Sequence, residues 1–113
     1  MTGVELIDWI DVLPSSELSA GTPYEVVVEE TVIILIRSEE SIAAYQGLCP
    51  HQFARLAEGR VAEGYINCPR HMAKFRLSDG TCGPGWVLPP LRRYAVRENA
   101  GMIQIGLDRN AAV

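Results

Sequence analysis

The chain has 113 residues, the size of a single domain, and its 48% hydrophobic and 21% charged residues are ordinary for a globular protein. No apolar stretch approaches the roughly 20 residues that a membrane-spanning helix needs, and the N-terminus lacks the pattern of a secretory signal, so we expect a cytoplasmic protein without membrane contact. The net charge of −4 argues against a nucleic-acid partner, because no basic tract could neutralise a row of phosphates.

The first half of the chain predicts one helical turn followed by strands. Residues 15–20 have Pro14 at their start and Gly21 after their end, which is typical of a short helical turn. Residues 24–29 and 31–37 are rich in β-branched side chains and predict a hairpin that turns at Glu29-Glu30. Residues 41–45 predict a third strand.

The C-terminal part predicts a second hairpin. Residues 93–97 and 102–107 flank residues 98–101, where Asn and Gly suit a turn. In the last strand Ile103, Ile105 and Leu107 share one face. Because no long segment has apolar residues at helical spacing, we expect an antiparallel all-β domain.

The middle of the chain has a different composition. Residues 46–90 contain six of the ten glycines, five of the seven prolines and all three cysteines. This composition is typical of loops and short strands that something other than a hydrophobic core holds in shape, and a metal site is the usual device. The charge is also uneven: residues 1–45 carry a net −8, whereas residues 46–83 carry +2. The acidic part is either a solvated surface or a device that orients a docking partner.

The central motif is Cys49-Pro50-His51, followed after 16 residues by Cys68-Pro69-Arg70-His71. Each half offers one thiolate and one imidazole. A tetrahedral zinc ion accepts two Cys and two His, but zinc fingers usually pair Cys with Cys and His with His. A Rieske-type 2Fe–2S cluster instead takes both cysteines on one iron and both histidines on the other, which suits mixed halves. The cluster is the favoured interpretation, with zinc or no metal as alternatives.

The chain resembles the Rieske ferredoxins, electron carriers of bacterial multicomponent aromatic-ring oxygenases. The resemblance rests on the segments CPHQFARLAEG (49–59), CPRHMAKFRLSDG (68–80) and GPGWVLPPLRRYAV (83–96). It implies one Rieske domain over 1–113. An antiparallel β-sandwich base near 1–45 and 85–113 would carry a small, inserted, loop-rich cluster-binding subdomain near 46–84.

The resemblance also implies the cofactor and the partners. Cys49, His51, Cys68 and His71 would hold one 2Fe–2S cluster per chain, with no catalytic residue and no enzyme activity of the chain alone. Electrons would come from a flavin-containing NAD(P)H ferredoxin reductase and pass to a terminal oxygenase. We expect His51 and His71 to be the electron exit. The expected docking residues are Gln52, Phe53, Met72, Pro84 and Trp86. A core position fits Phe53 and Met72 equally well and is the favoured interpretation for Trp86.

Two further expectations concern the surroundings of the cluster. High-potential Rieske proteins carry hydroxyl side chains two and four residues after the last ligand, where this chain has Ala73 and Phe75. Because hydroxyl donors stabilise the extra electron, their absence predicts a potential on the order of −150 mV. Cys82 lies outside both ligand pairs, and we expect it to be a buried, inert thiol.

Two competing functions remain open at this point. One is a Rieske-like small subunit bound permanently to a larger enzyme such as a nitrite reductase. Such subunits often lack the four ligands, so the presence of the ligands here favours the carrier. The other is a zinc-stapled interaction module, which would be colourless.

Overall fold

The computed structural model describes residues 6–39, 41–50, 52–70 and 73–109, and within them it consists mainly of antiparallel strands. The strands are β1 (Ile7–Pro14), β2 (Tyr24–Val28), β3 (Thr31–Ser38), β4 (Ser41–Gln46), β5 (Arg60–Ala62), β6 (Tyr65–Asn67), β7 (Lys74–Arg76), β8 (Arg93–Asn99) and β9 (Met102–Asp108). Two short 3-10 turns cover Ser15–Glu17 and Leu56–Glu58. No helix in these ranges has the length and apolar character needed to cross a membrane. The predicted all-β class is confirmed.

The strands form two sheets. The larger has six strands in the order β1-β9-β8-β4-β3-β2, and the smaller has three in the order β5-β6-β7. The two halves of the larger sheet join at β4 and β8 through the pairs Ala44–Tyr94 and Tyr45–Arg93. Side chains from both halves meet in one buried group, which we call the base cluster and which comprises Leu13, Leu18, Val28, Ile33, Leu35, Ala44, Ile103 and Ile105. The larger sheet therefore closes over a core as a β-sandwich does.

Strand β3 is buried on both faces, and one of these faces packs against the candidate site. Ile33 and Leu35 belong to the base cluster, whereas Ile34 and Ile36 belong to a second buried group that includes Cys49. A strand with two buried faces has to be apolar at successive positions, which explains the uninterrupted apolar run at residues 32–36. The division into subdomains near residues 45 and 85 stays a prediction.

Both predicted hairpins are confirmed, the first with its turn at the predicted residues and the second with a shorter turn than expected. Glu29 and Glu30 have φ values of 50° and 70°, so the β2–β3 connection is a two-residue turn with both residues in the left-handed region. The β8–β9 turn is Ala100-Gly101, with φ values of 53° and 83°, and Asn99 belongs to the strand. The predicted helical turn over residues 15–20 is shorter, covering Ser15–Glu17.

Strand β1 was not predicted from the sequence. It pairs with β9 along its whole length, but the register shifts between Asp11 and Leu13. Ile10 and Leu13 both face the base cluster, opposite Ile105 and Ile103, so the extra residue of the bulge separates them by three positions instead of two. The bulge therefore conceals the alternation by which a strand is recognised.

Candidate metal centre

The two loops that carry the predicted ligands, residues 49–54 and 68–73, are closed by the same backbone hydrogen bond. We call them the ligand loops. The amide of Cys49 donates to the carbonyl of Ala54 at 2.8 Å, and the amide of Cys68 donates to the carbonyl of Ala73 at 2.7 Å. Each loop therefore spans six residues from its Cys to its Ala, although the His is the third residue of one loop and the fourth of the other. This Cys-x-x-x-x-Ala repeat is visible in the sequence, but its meaning becomes clear only from the hydrogen bonds.

Each loop closes a pair of antiparallel segments. Leu48 and Arg55 form a bridge on either side of the first loop, and Asn67 pairs with Lys74 across strands β6 and β7 on either side of the second. Both cysteines thus follow the last paired residue of a hairpin-like stem. The two cysteines therefore occupy equivalent positions at the start of their loops.

The cysteines lie in a buried apolar group. Cys49, Cys68 and Ala73 have no exposed surface, and Ala54 is 6% exposed. We call this group the cysteine cluster, and its other buried members are Ile34, Ile36, Tyr45, Leu56, Ile66, Phe75 and Leu91. His51, His71 and Met72 lie outside the described residues. Of the four predicted ligands, the structure therefore brings the two cysteines into one environment and leaves the two histidines untested.

The chemistry of this environment suits a group that takes two thiolates. A thiolate is costly in apolar surroundings unless a cation or a metal compensates for its charge. Among the described residues, no three His, Cys, Asp or Glu side chains are grouped so that they could hold a metal ion, so any such group at the cysteines has to include residues beyond that set. None of the three cysteines forms a disulfide.

The hydroxyl group within the cysteine cluster, that of Tyr45, already donates a hydrogen bond to the backbone. Apart from Tyr45 and the two cysteines, no side chain with a polar or charged group is fully buried among the described residues. The Tyr45 side chain is enclosed in the cluster, and its hydroxyl donates to the Leu77 carbonyl at 3.0 Å. Burial raises the pKa of Tyr45, which keeps the hydroxyl protonated. Ala73 and Phe75 are fully buried and carry no hydroxyl.

A glycine allows the second stem to form. A Cβ atom on Gly59 would collide with the Asn67 carbonyl oxygen, so any larger residue would push β6 away just before Cys68. The 3-10 turn Leu56–Glu58 ends at this glycine and leads directly into β5. The sequence shows the glycine but gives no sign of the close approach.

Arg55, which directly follows the first ligand loop, is bonded to strand β2 of the larger sheet. Its Nε and Nη2 donate to the two carboxylate oxygens of Glu25 at 3.0 and 2.7 Å, and a second carboxylate, Glu58, lies 3.7 Å away. The bond to Glu25 raises the pKa of Arg55 and so favours the cation. This fork-like pairing between strand β2 and the loop was not predicted, because 30 residues separate the partners.

A third loop packs beside β7. The Gly83 amide donates to the Lys74 carbonyl at 2.7 Å, and Nη1 of Arg76 donates to the Cys82 carbonyl at 2.8 Å. The expectation that Cys82 is a buried thiol is wrong, because the residue is half-buried and its thiol donates to the Trp86 carbonyl at 3.3 Å. The core position favoured for Trp86 is also wrong, because this side chain is 37% exposed.

Phe53 is the most unusual residue of the first ligand loop. It is 70% exposed, and its φ of 59° places it in the left-handed region that bulky residues rarely adopt. Its amide donates to the Cys49 carbonyl at 2.8 Å, which holds this conformation. Gln52 and Pro84, two more of the predicted docking residues, are exposed as well. The fold thus presents an aromatic side chain to solvent next to the predicted ligands.

Comparison with known proteins agrees with this architecture. A family model described as "Rieske [2Fe-2S] domain" matches residues 8–95. The "Anthranilate 1,2-dioxygenase ferredoxin subunit" of Burkholderia cepacia is 28% identical over 109 residues, which cover 95% of this chain and 99% of that protein. The "Naphthalene 1,2-dioxygenase system, ferredoxin component" of Pseudomonas aeruginosa is 31% identical over 102 residues, which cover 88% and 96%.

A solved structure has the same fold. It is the ferredoxin of carbazole 1,9a-dioxygenase from Nocardioides aromaticivorans IC177, which superposes with a TM-score of 0.79 at 25% identity and covers 86% of this chain and 95% of that one. The family match extends over most of the sequence and includes both ligand loops and the strands that support them. This chain belongs to the Rieske [2Fe-2S] domain family, and the cofactor of that family is a Rieske-type 2Fe–2S cluster.

Proposed function

We propose that this protein is a cytoplasmic one-electron carrier, the ferredoxin component of an oxygenase system, with one cluster per chain. The observation that carries the proposal is the pair of equivalent loops, each of which ends a short stem with a buried cysteine and contains one histidine. The relatives that match over nearly their whole length are named as ferredoxin components of dioxygenases, which supports the same function.

The proposed ligands are Cys49, His51, Cys68 and His71. The cysteines would bind the inner iron, because they are fully buried, and the histidines the outer iron. When bound, a 2Fe–2S cluster supplies reversible one-electron oxidation and reduction. The chain's own residues would fix the two loops and exclude water from the thiolates. They would also leave the imidazole side of the site open to partners. Residues near 46–84 would form the cluster-binding subdomain, which the separate three-stranded sheet supports.

The surroundings favour a low potential. Reduction adds a negative charge, and an apolar environment without hydroxyl donors stabilises that charge poorly. In the cysteine cluster the Tyr45 hydroxyl donates to a backbone carbonyl, and Ala73 and Phe75 contribute no donor. We therefore place the potential near the low end of the Rieske range, on the order of −150 mV. Such a potential suits transfer from a reduced flavin.

The proposed partners are a flavin-containing NAD(P)H ferredoxin reductase as donor and a terminal aromatic-ring oxygenase as acceptor. Docking would use the exposed side chains around the ligand loops, above all Phe53 and Trp86, with Gln52 and Pro84. Met72, which lies outside the described residues, is proposed as a further docking residue from its place in the sequence. Electron-transfer interfaces are small, so a few residues suffice. A permanently bound small subunit of a nitrite reductase is the weaker alternative, because the relatives described above are ferredoxin components.

The test is cluster analysis of anaerobically purified protein, followed by reconstitution. We expect two irons and two acid-labile sulfides per chain, and we expect Cys49→Ser and Cys68→Ser to lose both. Cys82→Ser is the matched control and should keep the cluster, because Cys82 lies outside both loops. With a candidate reductase and oxygenase, product formation should require NAD(P)H and this protein. Zinc in place of iron, or a cluster that survives replacement of either histidine, would refute the ligand set.

A further inference from the structure

One face of the three-stranded sheet is cationic. The register pairs Val61 with Ile66 and Ile66 with Phe75, and this face packs into the cysteine cluster. The alternate positions point outward, because successive side chains of a strand lie on opposite faces. We call them the cationic face, and they are Arg60, Ala62, Tyr65, Asn67, Lys74 and Arg76.

No ion pair between described residues neutralises the charges of this face. Among the described residues, no carboxylate lies within ion-pair distance of Arg60, Lys74 or Arg76, whereas Arg55 nearby in sequence is paired with both Glu25 and Glu58. Asp79 is a carboxylate that interacts electrostatically with Arg76 of this face. The hydrogen bonds that it accepts from Thr81 hold its pKa below the usual value, and Arg76 lowers that pKa further.

Two contacts organise the cationic face around an aromatic ring. The Lys74 ammonium lies 4.8 Å from the centre of the Tyr65 ring, and the Arg76 guanidinium lies 6.0 Å from it. The ring attracts both cations, and hydrogen bonds from Nη1 of Arg76 to the Thr81 hydroxyl and the Cys82 carbonyl hold the guanidinium in place. Aromatic and arginine side chains in such an arrangement are typical of protein interfaces.

The face adjoins the second ligand loop. Asn67 directly precedes Cys68, and its neighbours across the sheet are Arg60 and Lys74, so this rung is the one nearest the loop. Arg70, within the loop itself, is exposed and also has no ion pair with a described carboxylate. Glu63 lies at the opposite end of the sheet, in the turn between β5 and β6.

We propose that the cationic face, together with Arg70, docks an acidic surface on the protein partner that accepts electrons from this chain. The proposal rests on the proposed function and adds the chemistry of the partner's surface. The net charge of the chain is −4, and residues 1–45 alone carry −8. A positive face beside the ligand loops of an otherwise acidic protein gives the molecule a dipole moment. This dipole orients the ligand loops toward an acidic partner.

The experiment measures the sign of the local charge at the electron exit. The reduced, full-length holoprotein is mixed in stopped flow with ferricyanide, or with tris(1,10-phenanthroline)cobalt(III), between ionic strengths of about 10 and 300 mM. Each oxidant takes one electron from the protein, giving ferrocyanide or the cobalt(II) complex. Net charge alone predicts that salt accelerates the anion and slows the cation. Our proposal predicts the reverse, because the cationic face lies beside the exit, whereas acidic charges elsewhere are screened as the screening length falls to about 6 Å at the upper ionic strength.

Variants and an acidic polypeptide complete the test. Arg60→Gln and Arg70→Gln should each slow the ferricyanide reaction about threefold at low salt. Arg97→Gln, on strand β8 of the larger sheet, makes the same change in net charge and should leave the rate within a factor of about 1.3. Poly-L-glutamate should inhibit the ferricyanide reaction of the parent protein, and less so that of the two variants.

Two results would overturn the inference. One is a ferricyanide rate that rises with salt in the parent protein. The other is a rate that poly-L-glutamate leaves unchanged, since this would mean that the face attracts small anions without docking an acidic polypeptide. Failure of the proposed function looks different: the protein would then carry no reducible cluster, and neither oxidant would react.

Discussion

Replacing Ala73 by Ser tests whether a missing hydroxyl sets the low potential. Ala73 is fully buried in the cysteine cluster, and its carbonyl closes the second ligand loop. A hydrogen bond to a charged acceptor contributes about 1.5–3 kcal/mol, and one to a neutral acceptor about 0.5–1.5 kcal/mol. The difference favours the reduced state by about 1 kcal/mol. At 59 mV for each tenfold change in a one-electron equilibrium, Ala73→Ser should raise the potential by about 40 mV.

The assay is protein-film voltammetry on the parent and on the variant at one pH and ionic strength. Ala44→Ser is the matched control, because Ala44 is also fully buried but belongs to the base cluster. Both substitutions place a hydroxyl in apolar surroundings and should lower stability by a similar amount, about 1–3 kcal/mol. Only the substitution beside the cysteines should change the potential.

A potential of Ala73→Ser within about 10 mV of the parent, with the iron content intact, would refute this account of the redox poise. A rise of equal size in Ala44→Ser would refute it as well, since the effect would then come from general loosening of the fold. Hydrogen-bond donors from the backbone would be the next candidates.

Three further predictions follow from other contacts. Glu25→Gln removes one of the two carboxylates on Arg55 and should raise the potential by about 20 mV, measured by voltammetry, and an unchanged or lower value would contradict it. Gly59→Ala places a Cβ against the Asn67 carbonyl and should at least halve the iron bound per chain, so full iron content would show that β5 can move. Phe53→Asn relieves a left-handed bulky residue by about 1 kcal/mol, because Asn tolerates this region. The variant should unfold at an equal or higher temperature than the parent, and a lower unfolding temperature would show that Phe53 is not strained. Electron transfer to a protein partner should slow, because the exposed aromatic side chain is lost.

The family and the fold class could be predicted because both depend on local patterns. Two Cys-Pro segments with one His each are specific for their chemistry wherever the chain places them. The hairpins at residues 24–38 and 93–108 follow from β-branched residues and from short turns. Strand β1 escaped prediction because its bulge shifts the inward side chains by one residue.

The tertiary structure decided everything that depends on residues distant in sequence. The bond between Arg55 and Glu25 and the approach of Gly59 to Asn67 leave no trace in local composition. The exposure of Trp86 could not be predicted either, because an aromatic residue in a proline-rich loop fits both a core and a surface position. The cationic face required the register of three short strands before its charges could be assigned to one side.

By itself, then, the sequence determined which donor atoms are available and that strands would carry them, because donor chemistry and strand periodicity belong to individual residues and their neighbours. The folded chain decided how those atoms are surrounded. It enclosed Cys49 and Cys68 in apolar side chains from β3, β4 and β6 and turned Phe53 outward. Burial and charge are sums over groups brought together from distant parts of the chain, and only folding brings them together.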